Sequence, residues 1–383
     1  MKTFRLQFYS IVAFCMIFLY IDPQHIGLGR QFQAIFTGIM MTSIFLYKSI
    51  SFHIYRKFNF LAYLLTCSII ISSLLNKDLS LGDYELSSYT LGILYAIIFI
   101  LFLHFVEYVV IINKTNILFN TFYKACLLTC LLIDVLILAI GQSAHAYYFI
   151  GDKFTISYLH IFAYGLFYYY QNNTSLKNKI IHYILLLLSF IISIKIECST
   201  GLIGSLIIML LLHKKRLFQR TIIKGNKMIF YVIIFTTLSF FFIELTKFSF
   251  IQYLIVDILN EDLTLTGRTR IYLILLDAIT QKPWFGWGQD HGMWFLGYYY
   301  NTPNAQNGLF NYITDYGLIG GIIFLILLNY LCRNVKNKNG YYILAIIFTF
   351  IILSSVEITY NLQFYAYLLL LIPFIHPRNK KKI

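Results

Sequence analysis

Two arginines, Arg268 and Arg270, stand close together in the stretch GRTRIYLILLDAITQKPWFGWG, residues 267–288. Arginine keeps its charge at any cellular pH, and its planar fork of donors fits a phosphate or a carboxylate. The residues that follow, Ile271, Ile274, Leu275 and Ala278, recur at i, i+3, i+4 and i+7, a spacing that predicts a helix. Thr264 or Thr266 could cap its start. Pro283 ends it, because the residue before a proline is pushed out of the helical region. Both arginines then fall in the first turn, where the helix already carries partial positive charge and a cation is mildly unfavourable. An anion would account for them, since free N–H groups at a helix start bind phosphate. The other reading is an ion pair with Glu261, Asp262 or Asp277.

The residues just downstream are suited to holding a ligand. Trp284, Trp287 and Trp294 are the only tryptophans of the chain, and Tyr298, Tyr299 and Tyr300 follow them. They read either as an aromatic belt at a membrane interface or as a platform for sugar rings. Gly286 and Gly288 permit a tight turn or a close approach of backbone to a ligand. Asp290, His291, Asp315 and Glu197 are candidate proton acceptors. Asp134, Glu107, Asp315 and Glu357 lie within or at the edges of apolar runs, where ionisable groups usually face a cavity or a partner. Asp134 and Glu107 are expected to form structural pairs. Asp315, one or two turns from Gln306 and Asn307, could face the same cavity as they do.

The elements that must position these groups are membrane helices. The chain is 59% hydrophobic and 12% charged over 383 residues. Apolar runs near the roughly 20 residues a bilayer requires recur along it. In lipid the backbone must satisfy its own hydrogen bonds, so such runs are helices. The expected fold is all-α: a polytopic membrane protein of about 12 transmembrane helices, one membrane domain over residues 1–383. The spans are expected near 7–21, 33–47, 58–75, 89–110, 122–141, 155–170, 180–194, 198–212, 228–245, 307–331, 341–357 and 360–375. Lys2 and Arg5 precede the first of them as they would a signal peptide, but no A-x-A cleavage site follows, and the segment is read as a retained span.

Charge sets the orientation. With both termini in the cytoplasm, 22 of the 30 lysines and arginines fall on the inner side, as the positive-inside bias requires. Asp78, Asp83, Glu85, Asp152, Glu197, Asp257, Glu261 and Asp262 fall on the outer side. The net charge of +14 therefore reports topology and contact with the lipid bilayer, and nucleic acid is not expected as a partner. The six cysteines contain no C-x-x-C pair, so neither a disulfide framework nor a zinc site is expected, nor any other metal or cofactor. One connection, residues 246–305, is far longer than the rest and is the expected large external catalytic loop.

The order of these residues resembles the C-terminal half of the O-antigen polymerase and O-antigen ligase family. The resemblance rests on Gly267, Arg268, Tyr272, Pro283, Phe285, Gly286, Gly288, Gln306, Asn307, Leu309 and the run Gly317-Leu318-Ile319-Gly320, which opens a span. It implies a GT-C-like fold and metal-independent, inverting transfer of glycans from undecaprenyl diphosphate at the outer face of the cytoplasmic (inner) membrane. It also implies that arginines hold the diphosphate, with Arg268 matching the family's loop arginine. It leaves room for a flippase and a chain-length regulator as protein partners. Three positions depart from the pattern. Tyr272 stands where tryptophan is common. Ser199-Thr200-Gly201 stands where many members carry a second cation, which Lys195 or Arg270 could replace. Gln306 stands where histidine is frequent, and a glutamine cannot accept a proton at neutral pH.

The expected function is therefore polymerisation of lipid-linked oligosaccharide repeat units into a capsule, exopolysaccharide or O-antigen. A ligase moving finished glycan to lipid A core or to a protein is the alternative. A flippase or transporter is the third reading, against which stand the absence of an internal repeat and of broken helices in matching positions.

Overall fold

The computed structural model describes residues 56–78, 88–111, 114–140, 151–170, 176–222, 227–245, 248–253, 268–290, 296–297 and 305–375. The first two expected spans lie outside the described residues, as do Thr264, Thr266, His291 and Trp294. The described chain is helical, with no strand among its elements. Its helices are α1 (Arg56–Leu75), α2 (Ser88–Ile111), α3 (Thr115–Ile140), α4 (Lys153–Tyr170), α5 (Leu176–Lys195), α6 (Ser199–His213), α7 (Lys215–Ile222), α8 (Met228–Leu245) and α9 (Ser249–Tyr253). They continue with α10 (Arg268–Gln281), α11 (Gly308–Arg333), α12 (Gly340–Leu353), α13 (Leu362–Leu369) and α14 (Ile372–Ile375).

Four of these helices, α1, α2, α3 and α11, are long and apolar enough to cross a membrane on length and composition. Apart from α4, which covers the span expected at 155–170 with 18 residues, the other expected spans in the described residues are shorter apolar helices, so the expectation of about twelve spans is not established by length and composition. The outward surface nevertheless has the character of a lipid-facing one. On α3, Leu128, Leu131, Leu132, Val135, Leu136 and Leu138 are all exposed. Water-soluble proteins rarely leave so continuous an apolar strip uncovered. By contrast α12, apolar on every face, is buried along almost its whole length against α4, α6 and α13.

Two expected spans are interrupted. The run 341–357 stops at Leu353, where the hydroxyls of Ser354 and Thr359 turn back to the carbonyls of Ile351 and Phe350 at 2.7 and 3.0 Å. The run 360–375 divides between α13 and α14. Pro373 lacks an N–H and is tolerated in the first turn of α14, where none is needed.

The largest departure is in α11. Gly317 has φ 69° and ψ −177°, a conformation essentially reserved for glycine. The ring of Tyr312 stacks on that of Phe324 with centroids 4.6 Å apart. Twelve residues of straight helix would separate them by about 18 Å. The helix is therefore folded at Gly317 into a first arm, 308–316, and a second arm, 318–333. The sequence run 307–331 conceals this fold, which is one broken helix where none was expected. Gly317-Leu318-Ile319-Gly320 does open the uninterrupted second arm.

A fold in a helix orphans backbone groups on both sides of it, and a buried orphan is costly. The turn after α10 supplies the partners. The N–H groups of Trp287 and Gly288 donate to the carbonyls of Thr314 and Asp315, both at 2.8 Å. In return Leu318 and Ile319 donate to the carbonyls of Pro283 and Trp284 at 2.8 and 3.2 Å. α10 runs alongside the first arm, and its apolar face forms a second, smaller core with Trp287, Leu296 and Ala305, against which Phe310 packs.

Candidate functional site

Arg268 is the first residue of α10 and Arg270 the third, as the periodicity predicts. Their side chains lie outside the described residues. Ile271, Ile274, Leu275 and Ala278 are all buried, which fixes the face that α10 turns inward. One turn after Arg268, the Tyr272 hydroxyl lies 3.3 Å from the Gln306 carbonyl and 3.4 Å from that of Ser355, and can donate to either. The helix start is thus tied to Gln306 and to the 354–357 turn. Asn307 is fully buried and caps α11: its Oδ1 accepts from the Phe310 N–H at 3.2 Å, and its Nδ2 donates to the Ser355 carbonyl at 3.4 Å.

Gly286, Gly288, Trp284, Trp287 and Asp290 lie at the other end of α10. A helix of 14 residues is about 21 Å long, so the expected site separates into two clusters. The close approach of Gly286 is to the backbone: a Cβ there would run into the Thr314 and Asp315 carbonyls, just as one at Gly317 would run into that of Trp284. Trp287 is buried, and its Nε1 donates to the Ala278 carbonyl at 2.9 Å. The Lys282 ammonium stands 4.3 Å over its ring and donates to Asn76 Oδ1. Partial burial holds the Lys282 pKa below its usual value. Trp284 is exposed. Beside them the Tyr316 hydroxyl donates to Gln289 Oε1, and Gln289 Nε2 donates to Asp290 Oδ1 at 2.7 Å. Asp315 also belongs to this end, where its carbonyl accepts from the Ser72 hydroxyl at 2.7 Å and its carboxylate from Asn311 Nδ2 at 3.3 Å.

A third cluster forms where α5 passes into α6. Lys195 is exposed, and Thr200 is buried with its hydroxyl 3.5 Å from Cys198 Sγ. Glu197 joins them, its carbonyl accepting from the Lys153 ammonium at 3.1 Å. Tyr158 links this cluster to the 354–357 turn, since it adjoins Thr200 and stands within electrostatic range of Glu357.

Three described non-glycine residues have φ in the left-handed region: Glu197 at 52°, Asp290 at 60° and Gln306 at 45°. Such strain persists only where the surroundings hold it, and it collects at functional sites. Each was singled out from sequence for its chemistry. Glu357 was seen in the sequence but given no role; its signal was a lone carboxylate at the edge of an apolar run.

The two deeper carboxylates have structural partners. Glu107 Oε2 lies 3.2 Å from His104 Nδ1, and the Tyr63 hydroxyl 2.7 Å from His104 Nε2. Asp134 Oδ1 lies 2.9 Å from His160 Nε2, while His160 Nδ1 faces the Ile156 carbonyl at 2.9 Å. A carbonyl only accepts, so Nδ1 carries a hydrogen, and the second contact needs one further proton shared between imidazole and carboxylate. Among the described residues no group of His, Cys, Asp and Glu could hold a metal ion.

No curated protein and no solved structure matches the chain. A family model does, over the part that runs from α5 through α10, the docked turn and the fold at Gly317. The chain carries, over residues 183–325, a match to the family described as O-antigen ligase, consistent with the O-antigen ligase and polymerase family.

Proposed function

We propose that this protein polymerises oligosaccharide repeat units carried on undecaprenyl diphosphate into a cell-surface polysaccharide. The reaction takes place at the outer face of the cytoplasmic membrane, with both chain termini in the cytoplasm. A hydroxyl of the incoming repeat unit attacks C1 of the growing glycan, and the C1–O bond to the lipid diphosphate breaks. Negative charge develops on the diphosphate, and stabilising such charge is usually the largest catalytic contribution. Arg268 meets it, helped by the free N–H groups of the helix it starts. Arg270 strengthens donor binding. Transfer is inverting and needs no metal ion.

The observation that carries this reading is the bonding of the Arg268 helix start, through Tyr272, to Gln306 and to Ser355. It supports an anion-binding helix end beside a residue able to orient an acceptor hydroxyl. A ligase that transfers finished glycan is the second reading, favoured by the description of the matched family. Glutamine at position 306 in place of histidine favours the polymerase.

Arg268→Ala should lower transfer from lipid-linked donor by roughly 10²–10³-fold, with protein level and membrane insertion intact. Arg268→Lys should recover part of the rate, because an ammonium keeps the charge but loses the fork. Full-length polymer at the normal rate from Arg268→Ala would exclude the diphosphate role. In a deletion strain, single lipid-linked repeat units indicate a polymerase and long lipid-linked chains a ligase.

A further inference from the structure

Between Glu197 and Glu244 the chain carries no acidic residue, yet six lysines and arginines lie there, from Lys214 to Lys227. The first of them belong to α7. α6 ends at His213, and Lys214 leaves the helical conformation with φ −95° and ψ 34°. The Lys214 carbonyl then accepts from the N–H groups of Leu217 and Phe218 at 2.9 and 3.2 Å, which starts α7 as a separate helix.

α7 has two faces. Lys215, Phe218 and Gln219, at i, i+3 and i+4, are half-buried and turn towards the protein. Phe218 packs on the main core, and the Lys215 ammonium donates to the Tyr342 hydroxyl near the start of α12 at 3.0 Å. Arg216 and Leu217 face away. Leu217 is 68% exposed, between exposed cations at 214 and 216. Arg220 stands one turn on from Arg216. Among the described residues, Lys214 and Arg216 have no acidic partner.

The surface that leads to α7 is apolar. Ile203, Leu206 and Leu210 are exposed along α6 over about 10 Å of its axis. That stripe gives way to exposed His213 and Lys214. α5 marks the same level: Tyr183 is exposed beside Ile184 and Leu187, with its ring centroid 6.4 Å from that of His213. An aromatic ring where an apolar surface turns polar is the mark of a lipid–water boundary. An exposed leucine set between cations at that level fits the boundary too, with its side chain in the acyl layer and the charges among the head groups.

We propose that α7 lies along the lipid–water boundary and gathers anionic phospholipid, with Leu217 entering the top of the acyl layer and Lys214 and Arg216 binding the head-group phosphates. Lys215, engaged by Tyr342, ties the helix to α12 and leaves the lipid to its neighbours. With the orientation given above, the lipid belongs to the inner leaflet. The binding does not depend on the transfer chemistry.

The test uses the full-length chain in a cysteine-free background, with a bimane probe at Leu217→Cys, in nanodiscs of phosphatidylcholine and phosphatidylglycerol. A nitroxide quencher sits high on the acyl chain of one lipid or of the other. Quenching through phosphatidylglycerol should exceed quenching through phosphatidylcholine. Lys214→Gln and Arg216→Gln should each reduce that excess by up to roughly five-fold, and together they should bring the two lipids to parity, as should high salt. A probe at Leu132→Cys, on the apolar strip of α3, should show parity throughout. The melting temperature should not change in either charge variant. Equal quenching by the two lipids at Leu217→Cys with both cations present overturns the proposal. So does an excess that survives both substitutions. Should the double variant fail to melt cooperatively, Arg216→Gln alone decides the same comparison. A probe reached by aqueous iodide and by neither lipid also overturns it, and leaves the surface to a soluble partner.

Discussion

The two ends of the helix bundle are built on different principles. At one end the segments expected inside meet. Lys215 donates to the Tyr342 hydroxyl at 3.0 Å and stands 4.2 Å over its ring, and the Lys336 N–H reaches the Phe374 carbonyl at 3.1 Å. Around them Lys57, Lys214, Arg216, Lys227, Arg333, Lys336 and Lys338 are exposed. At the other end the segments expected outside meet. Asn76 donates to the Gly286 carbonyl at 3.0 Å, Lys153 to that of Glu197 at 3.1 Å, and Gly308 to that of Ser354 at 2.8 Å. Here the polar side chains hold backbone, helices break, and residues sit at strained φ. One end spreads charge over a surface. The other spends polar groups on fixing a geometry. The lesson is that charge at the first end is a matter of sign and number, whereas at the second it is a matter of position.

That contrast can be broken at its strongest point. Gly317→Ala forces a side chain into a glycine conformation and into the Trp284 carbonyl. It should cost roughly 3–5 kcal/mol, read as lost folded yield and a lowered melting temperature in detergent. Arg216→Ala, exposed at the basic end, should stay within about 0.5 kcal/mol. Similar losses from the two would mean that the ends do not differ in this way.

A smaller effect sharpens the link between strain and function. Gln306→Ala should raise the transfer barrier by roughly 1–3 kcal/mol. Gln306→Gly removes the same side chain but relieves the backbone at φ 45°. It should lose as much activity while melting higher than the Ala variant, by roughly 1 kcal/mol of stability. Wild-type activity from both would place Gln306 outside the site.

The mildest perturbation asks which end faces out. In a cysteine-free background, Thr280→Cys should react with an impermeant maleimide in intact cells and Gln219→Cys should not, both with unchanged activity. The reverse pattern would invert the assigned orientation.

Much of the helical layout was legible because apolar runs and cation placement are local properties. The buried face of α10 and the end of that helix before Pro283 follow from spacing alone. The fold in α11 was not legible, since 307–331 reads as one span by length and composition and the signal for the break is a single glycine whose φ depends on a partner about 30 residues earlier. At Gly286 the sequence left a tight turn and an approach to a ligand both open, and for Trp287 it showed no partner, for the same reason. Their chemistry suits a ligand, but what they meet is the backbone of Thr314 and Asp315 and the carbonyl of Ala278. The grouping of Arg268 with Gln306 and Ser355, residues far apart in sequence, required the packing of three helix ends.

The docking of residues 283–288 into the fold at Gly317 also sets a timetable for synthesis. The turn cannot gain its carbonyl partners at Thr314 and Asp315, nor the N–H groups of Leu318 and Ile319, until the ribosome has made them. At about 5–20 residues per second, the 27–35 residues that separate the bonded partners take roughly 1–7 seconds to emerge. During that interval Trp287 and the apolar face of α10 lack Ala305 and Phe310, with which they pack in the finished fold. Translation slowed between codons 290 and 320 would lengthen the exposure of this segment to proteases and chaperones, without altering a single residue of the finished protein.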